Sequence, residues 1–101
     1  MCANEVNGGV RLIKRAIVQV IGRVQGVGFR YFTQHLAIEY GIVGWVRNEE
    51  DGTVLIDAQG SDESINQFLD KVKGGPSPFA RVEDIKIEYL QPTSYRKFLI
   101  K

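Results

Sequence analysis

The chain carries three glycines within residues 22–28, and Arg30 follows two positions later. An apolar run, residues 16–21, precedes this glycine loop, and a segment with helical periodicity follows it. The pattern indicates a turn between a strand and a helix. Glycine adopts left-handed backbone angles and lets a ligand approach closely, so successive N–H groups can converge on an anion. Arg30, in the first helical turn, would add a permanent charge suited to phosphate oxygens.

A purely structural role is the alternative, since many glycine-rich turns bind no ligand. The loop does not end in Gly-Lys-Ser/Thr, so it is not a P-loop. Its glycine spacing also differs from the G-x-G-x-x-G dinucleotide fingerprint. An anion site at the glycine loop therefore requires further donors from elsewhere in the chain.

Other catalytic groups are scarce. The single histidine, His35, falls in the predicted helix away from its apolar stripe, so an exposed or structural role is expected. The single cysteine, Cys2, cannot form an internal disulfide, which suits a reducing compartment. No Cys/His cluster has zinc spacing, and no nucleophile can be paired with a histidine. The sequence therefore predicts no metal site and no cofactor.

The elements that must position these groups follow the order β-α-β-β-α-β. Periodicity predicts strands over residues 12–21, 42–48, 53–59 and 82–89, helices over 29–40 and 61–73, and a short C-terminal strand with Phe98 and Ile100. This order is typical of an α+β, ferredoxin-like sandwich, a largely antiparallel sheet with two helices on one face. The first helix is expected to bury one stripe formed by Phe29, Phe32, Leu36, Ala37 and Tyr40.

The topology adds Asn48 to the candidate site. In a split βαβ unit the first two strands run in the same direction, so their C-terminal ends share one edge of the sheet. The first strand is expected to end at Gly22 and the second at Asn48. Asn48 is therefore expected beside the glycine loop and Arg30.

A phosphate cradle, an arginine and an amide can bind a phosphoryl group and hold one water. With no strong acid, base or metal, such a site suits a substrate whose leaving group needs no proton. Carboxylates meet this condition, because their conjugate acids have pKa values of about 4. Phosphoryl transfer depends mostly on positioning and charge stabilisation, so a carboxyl–phosphate anhydride fits and an alkyl phosphate ester does not.

Length and composition narrow the classes further. A chain of 101 residues is one domain, with residues 1–11 expected to be a disordered leader and residues 12–101 the folded part. A net charge of +1 gives no broad footprint for nucleic acid, and no apolar run is long enough for a membrane span. The polar N-terminus does not have the pattern of a signal peptide.

Two motifs resemble those of the acylphosphatases. The segment Val20-Ile21-Gly22-Arg23-Val24-Gln25-Gly26-Val27-Gly28-Phe29-Arg30 is similar to the family's first signature. The segment Gly44-Trp45-Val46-Arg47-Asn48, followed by Gly52, Val54 and Gly60, is similar to the second. The resemblance covers about residues 12–100, nearly all of the folded part.

The resemblance implies a small cytoplasmic enzyme that hydrolyses acyl phosphates to a carboxylate and inorganic phosphate without metal or cofactor. Arg30 would bind the phosphate and Asn48 would orient the attacking water. The phosphate cradle would be formed by the backbone N–H groups of Arg23, Val24, Gln25, Gly26, Val27 and Gly28. The expected partner is a small acyl phosphate, with no nucleic acid or membrane, and the expected state is a monomer. Whether the carboxylate of Lys101 reaches Arg30 is open, as is whether the Gln25 side chain contacts the ligand or braces the turn.

Two other functions stay open. A catalytically silent phosphate-binding module on the same fold would use the same residues. An RNA-recognition domain would stack bases on exposed aromatics of its central strands. The first and third predicted strands offer no aromatic for such stacking.

Overall fold

The computed structural model describes residues 12–101. The predicted leader and Cys2 lie outside the described residues. Within the described part, neither helix combines the length and the apolar composition that crossing a membrane requires. Seven elements follow in order: β1 (Ile13–Arg23), α1 (Phe29–Glu39), β2 (Val43–Asn48), β3 (Val54–Ser61), α2 (Asp62–Lys73), β4 (Arg81–Leu90) and β5 (Phe98–Ile100).

One five-stranded sheet has the order β4-β1-β3-β2-β5. β3 pairs antiparallel with both β1 and β2, so β1 and β2 run in the same direction. β4 pairs antiparallel with β1, and β5 pairs parallel with β2. The α+β, ferredoxin-like βαββαβ prediction with a short extra C-terminal strand is confirmed.

The core lies between one face of the sheet and both helices. Side chains alternate along a strand, so every second residue of the central strands faces the helices. α2 behaves as predicted: the Ser61 hydroxyl caps it by accepting a hydrogen bond from Ser64 N at 3.2 Å. The core residues from the sheet and α2 include Ala16, Val18, Val20, Val46, Val54, Ile56, Ala58, Ile65, Phe68, Leu69 and Val72.

The predicted stripe of α1 was partly wrong. Phe29 and Ala37 are buried, but Phe32 is 37% exposed and Thr33 is buried in its place. The Thr33 hydroxyl has no hydrogen-bond partner among the residues that the structure describes. Burying a hydroxyl without a partner is costly, which is why the residue type did not indicate a core position.

The first strand also ends one residue later than the expected Gly22. β1 continues to Arg23, which pairs with Arg81 of β4, and a register shift falls between Ile21 and Gly22. Gly22 has φ +139°, and a Cβ there would lie 2.2 Å from the Arg81 carbonyl oxygen. The glycine therefore allows β4 to follow β1 to the start of the turn.

Residues 91–97 connect β4 at one edge of the sheet to β5 at the other, and they cross the face opposite the helices. The amide of Gln59 bonds both main-chain groups of Thr93, at 2.7 and 2.9 Å. Farther along, Tyr95 donates its hydroxyl hydrogen to Asp57 at 2.6 Å and accepts one from Trp45 Nε1 at 3.0 Å. These bonds fix the path that leads into β5.

Asp57 is the centre of this crossing. Its carboxylate is 1% exposed and accepts a two-pronged contact from Arg15, with Nε–Oδ1 at 3.0 Å and Nη2–Oδ2 at 2.7 Å. Burial and the hydrogen bond to Asp57 raise the pKa of Tyr95, so its hydroxyl stays protonated and able to donate at neutral pH. The hydrogen bonds from Arg15 and Tyr95 offset the free-energy cost of removing the Asp57 carboxylate from water.

We expect Asp57→Asn to lower the free energy of unfolding by about 3 kcal/mol, since it leaves Arg15 without its buried partner. The comparison is Lys14→Met. Lys14 is the neighbour of Arg15 in β1, and the change removes its half-exposed ion pair with Asp62. That change should cost less than about 1 kcal/mol. Chemical denaturation measures both, and equal losses would contradict a structural role for the Asp57 cluster.

Candidate active site

A cavity of about 220 Å³ opens where the glycine loop, the start of α1 and the end of β2 meet. Its lining combines main-chain, charged, amide and apolar groups, contributed by Val24, Gly26, Gly28, Phe29, Arg30, Tyr31, Asn48 and Ile100. A larger groove of about 570 Å³ near Leu12 is lined by Asp62, Glu63 and Asp70, whose charges would repel a phosphate. The smaller cavity is therefore the candidate anion site.

The backbone at the start of α1 is open to an anion. Gly28 is the N-cap residue in the left-handed conformation, with φ 75°, and no side chain caps the helix. Gly26, also on the cavity, has φ 74°. The uncapped N–H groups of the first turn form the positive end of the helix dipole, and they face the region of the glycine loop.

Arg30 is held by the C-terminal end of the chain. Its Nη1 donates to the main-chain oxygen of Lys101 at 3.0 Å. Lys101 N in turn donates to Val46 O at 2.8 Å, and Gln34 of α1 donates to Phe98 O at 2.9 Å. A contact between Lys101 and Arg30, left open by the sequence, is thus present through the main chain. The bond joins Arg30, which lines the cavity, to the residue after β5.

Gln25 braces the glycine loop against the turn between β2 and β3. Its Nε2 donates to the carbonyl oxygens of Glu49 and Thr53, each at 2.8 Å. The same turn is closed by Glu49 N to Thr53 O at 2.9 Å. Hydrogen bonds from the Thr53 hydroxyl and N–H lower the pKa of Asp51, which keeps this acceptor ionised. Of the two roles left open for the Gln25 side chain, the structure shows the brace.

Ser77 also supports the glycine loop. The residue is 3% exposed, and its hydroxyl donates to Val27 O at 2.5 Å while accepting from Phe79 N at 3.2 Å. Ser77 lies between the predicted second helix and fourth strand, where the sequence gives no sign of this contact. The bonds from Gln25 to the turn between β2 and β3, and from Ser77 to Val27, thus tie the loop to two distant segments of the chain.

The structure brings most of the predicted site residues together. Arg30 and Asn48 share the cavity, in agreement with the parallel-strand argument. Of the predicted cradle residues, Val24, Gly26 and Gly28 line it. The others, Arg23, Gln25 and Val27, do not: Arg23 is exposed and pairs in β1.

Tyr31 and Ile100 line the cavity although no role was predicted for either. Tyr31 could have been found from its place next to Arg30 in the first helical turn. Ile100 could not, because the sequence does not show that β5 runs parallel to β2 and ends beside Asn48.

The described lining contains one charged side chain, Arg30, and one neutral amide, Asn48. Within residues 12–101 no group of three or more His, Cys, Asp or Glu side chains could hold a metal ion. His35 is exposed and its ring packs 4.4 Å from that of Tyr31. The arrangement can bind an oxyanion and orient a water, with no protein carboxylate placed to accept a proton.

We expect Gln25→Glu to lower the free energy of unfolding by about 2 kcal/mol, because a carboxylate cannot donate to the two carbonyl oxygens it would face. Gln19→Glu is the matched control, since its amide makes only a 3.5 Å contact with the Thr53 hydroxyl. Its expected loss is below about 0.5 kcal/mol. Denaturation curves that shift equally for the two variants would show that the brace does not stabilise the loop.

The acylphosphatase family model matches residues 16–100. A curated acylphosphatase from Oceanobacillus iheyensis is 56% identical over 85 residues, covering 83% of this chain and 93% of the relative. An acylphosphatase from Listeria monocytogenes is 49% identical over 82 residues, covering 81% and 88%.

Solved structures agree with the sequence relatives. The crystal structure of acylphosphatase from Bacillus subtilis superposes with a TM-score of 0.82 at 41% identity, covering 89% of this chain and 99% of that one. Full-length HypF, in its phosphate- and nucleotide-bound form, matches with a TM-score of 0.82 at 27% identity. That match covers 94% of this chain but 12% of HypF. With a family model over residues 16–100 and relatives covered almost end to end, the chain belongs to the acylphosphatase family.

Proposed function

We propose that the cavity at the glycine loop is the catalytic centre of an acylphosphatase, which cleaves the carboxyl–phosphate bond to give a carboxylate and inorganic phosphate. The observation that carries this assignment is the convergence of Arg30, Asn48 and the glycine loop on one cavity of about 220 Å³. The substrate is a small acyl phosphate.

The phosphate is bound by the loop and Arg30. Main-chain N–H groups of Val24, Gly26 and Gly28, which line the cavity, surround its oxygens, and the guanidinium supplies the charge that the loop lacks. Because Arg30 is already bonded to the Lys101 oxygen, it loses little conformational freedom when the substrate binds. The donors are in place before charge develops in the transition state.

Asn48 orients the attacking water through its side-chain amide. The water oxygen forms a bond to phosphorus while the bond between phosphorus and the acyl oxygen breaks. The electron pair of that bond leaves with the carboxylate, and the water proton passes to a phosphate oxygen of the substrate. The Gln25 brace holds the turn that follows Asn48, so the loop and the water-orienting amide keep a fixed separation.

The leaving group explains why this lining suffices. A carboxylate leaves without a proton at neutral pH, because its conjugate acid has a pKa of about 4. An alkoxide would require a general acid, and the described lining offers none. Selectivity for acyl phosphates over alkyl phosphate esters thus follows from the site's composition.

We also propose a cytoplasmic monomer that does not bind nucleic acid. Each group used in the mechanism comes from a single chain. The lone cysteine suits a reducing compartment. A net charge of +1, together with the segment 91–97 across the outer sheet face, weighs against an RNA platform.

The test is release of benzoate from benzoyl phosphate in the presence of EDTA, with p-nitrophenyl phosphate as the comparison substrate. The wild type should hydrolyse the first rapidly and the second hardly at all. Arg30→Ala should lower kcat/KM by about 10³-fold and Asn48→Ala should lower kcat by about 10²–10³-fold, as when a preorganised donor is removed.

Arg96→Ala and Asn66→Ala are the matched controls, since both side chains are exposed and lie outside the cavity lining. Normal turnover by folded Arg30→Ala would refute the site assignment. Phosphate binding without benzoate release by the wild type would instead identify the silent phosphate-binding module that shares these residues.

A further inference from the structure

The cavity has an apolar wall that phosphate binding does not use. Tyr31 and Ile100 both line it, yet they remain 55% and 41% exposed. Of the exposed large apolar side chains in residues 12–101, Tyr31 and Ile100 are the two that line this cavity, so they are available to cover a ligand bound there.

The ring of Tyr31 is held in place without being buried. It packs edge-on against Phe32, with centroids 5.4 Å apart and an interplanar angle of 82°. The ring of His35 also contacts it, with centroids 4.4 Å apart. Both neighbours belong to α1, so the orientation of Tyr31 is fixed by the helix that also carries Arg30.

Ile100 is tied to the same centre. It pairs with Val46 in the parallel β2–β5 contact, and the residue after it supplies the oxygen that holds Arg30. Each residue of the apolar wall is therefore next in the sequence to one partner of the hydrogen bond between Arg30 and Lys101. Tyr31 follows Arg30, and Ile100 precedes Lys101.

We propose that Tyr31 and Ile100 form an acyl subsite, which makes the enzyme prefer acyl phosphates with an aromatic or bulky apolar acyl group. The inference rests on the proposed function, since it takes the phosphate to be bound by the glycine loop and Arg30. The acyl group of such a substrate then covers the exposed ring and the isoleucine side chain, which removes apolar surface from water. Arg30 is the one charged side chain of the described lining, so no second charge selects a charged acyl group.

The test compares kcat/KM for benzoyl phosphate and acetyl phosphate. Both substrates leave as carboxylates and carry the same phosphate, so the ratio of the two values reports contacts with the acyl group. A loss of folded protein or of phosphate affinity changes both values together and leaves the ratio unchanged.

Tyr31→Ala should lower the benzoyl-to-acetyl ratio by about tenfold, which corresponds to about 1.4 kcal/mol. Tyr31→Phe keeps the ring and should retain the wild-type ratio within about twofold, on the same scale. Tyr89→Ala is the matched control: Tyr89 is 53% exposed but pairs with Ala16, far along β1 from the cavity. Ile100→Ala provides a second, independent change that should lower the ratio in the same direction.

An unchanged ratio in Tyr31→Ala and Ile100→Ala, with both substrates hydrolysed by the wild type, would overturn the subsite and leave the proposed function intact. A ratio that falls equally in Tyr89→Ala would overturn it as well. Failure of the folded wild type to hydrolyse either compound would overturn the proposed function, and the subsite with it.

Discussion

The hydrogen bond from Arg30 to the main-chain oxygen of Lys101 joins the first helix to the end of the chain at the cavity. It depends on β5 pairing parallel with β2, which places Lys101 next to the end of β2. That pairing depends in turn on residues 91–97 crossing the outer sheet face. The buried Asp57 cluster fixes the crossing, so a polar network outside the cavity supports the strand that holds the Arg30 guanidinium. Gln25 and Ser77 constrain the glycine loop in the same manner.

Much of this arrangement can be predicted from the sequence, because its causes are local. The Ser61 cap and the apolar spacing of α2 define that helix, and three close glycines indicate the turn before α1. Asn48 could be placed beside Arg30 because parallel strands on either side of a third end at the same edge. Residue types alone indicated a substrate with a good leaving group. The resemblance to the family motifs then connected Arg30 and Asn48 to acyl phosphates.

The remaining features depend on contacts between distant segments. Asp57 follows three apolar residues of β3, and nothing in that strand shows that Arg15 and Tyr95 cover it. Thr33 replaces Phe32 in the core because the helix rotation is set by packing against the sheet rather than by apolar spacing. The three residues of β5 likewise do not indicate in which direction that strand runs. Each of these features requires the tertiary fold, and together they place the apolar wall and the support for Arg30.

The central claim is that the glycine loop and Arg30 form the phosphate site, and titration of the isotope-labelled protein with inorganic phosphate tests it most directly. Two-dimensional amide spectra should show saturable shifts for the N–H groups of Val24, Gly26 and Gly28 and for the Asn48 side chain. The N-terminus of α2 is the internal comparison, since Ser61 caps it and Asp62 and Glu63 repel anions. Shifts confined to α2, or no saturable shift in the glycine loop, would contradict the claim.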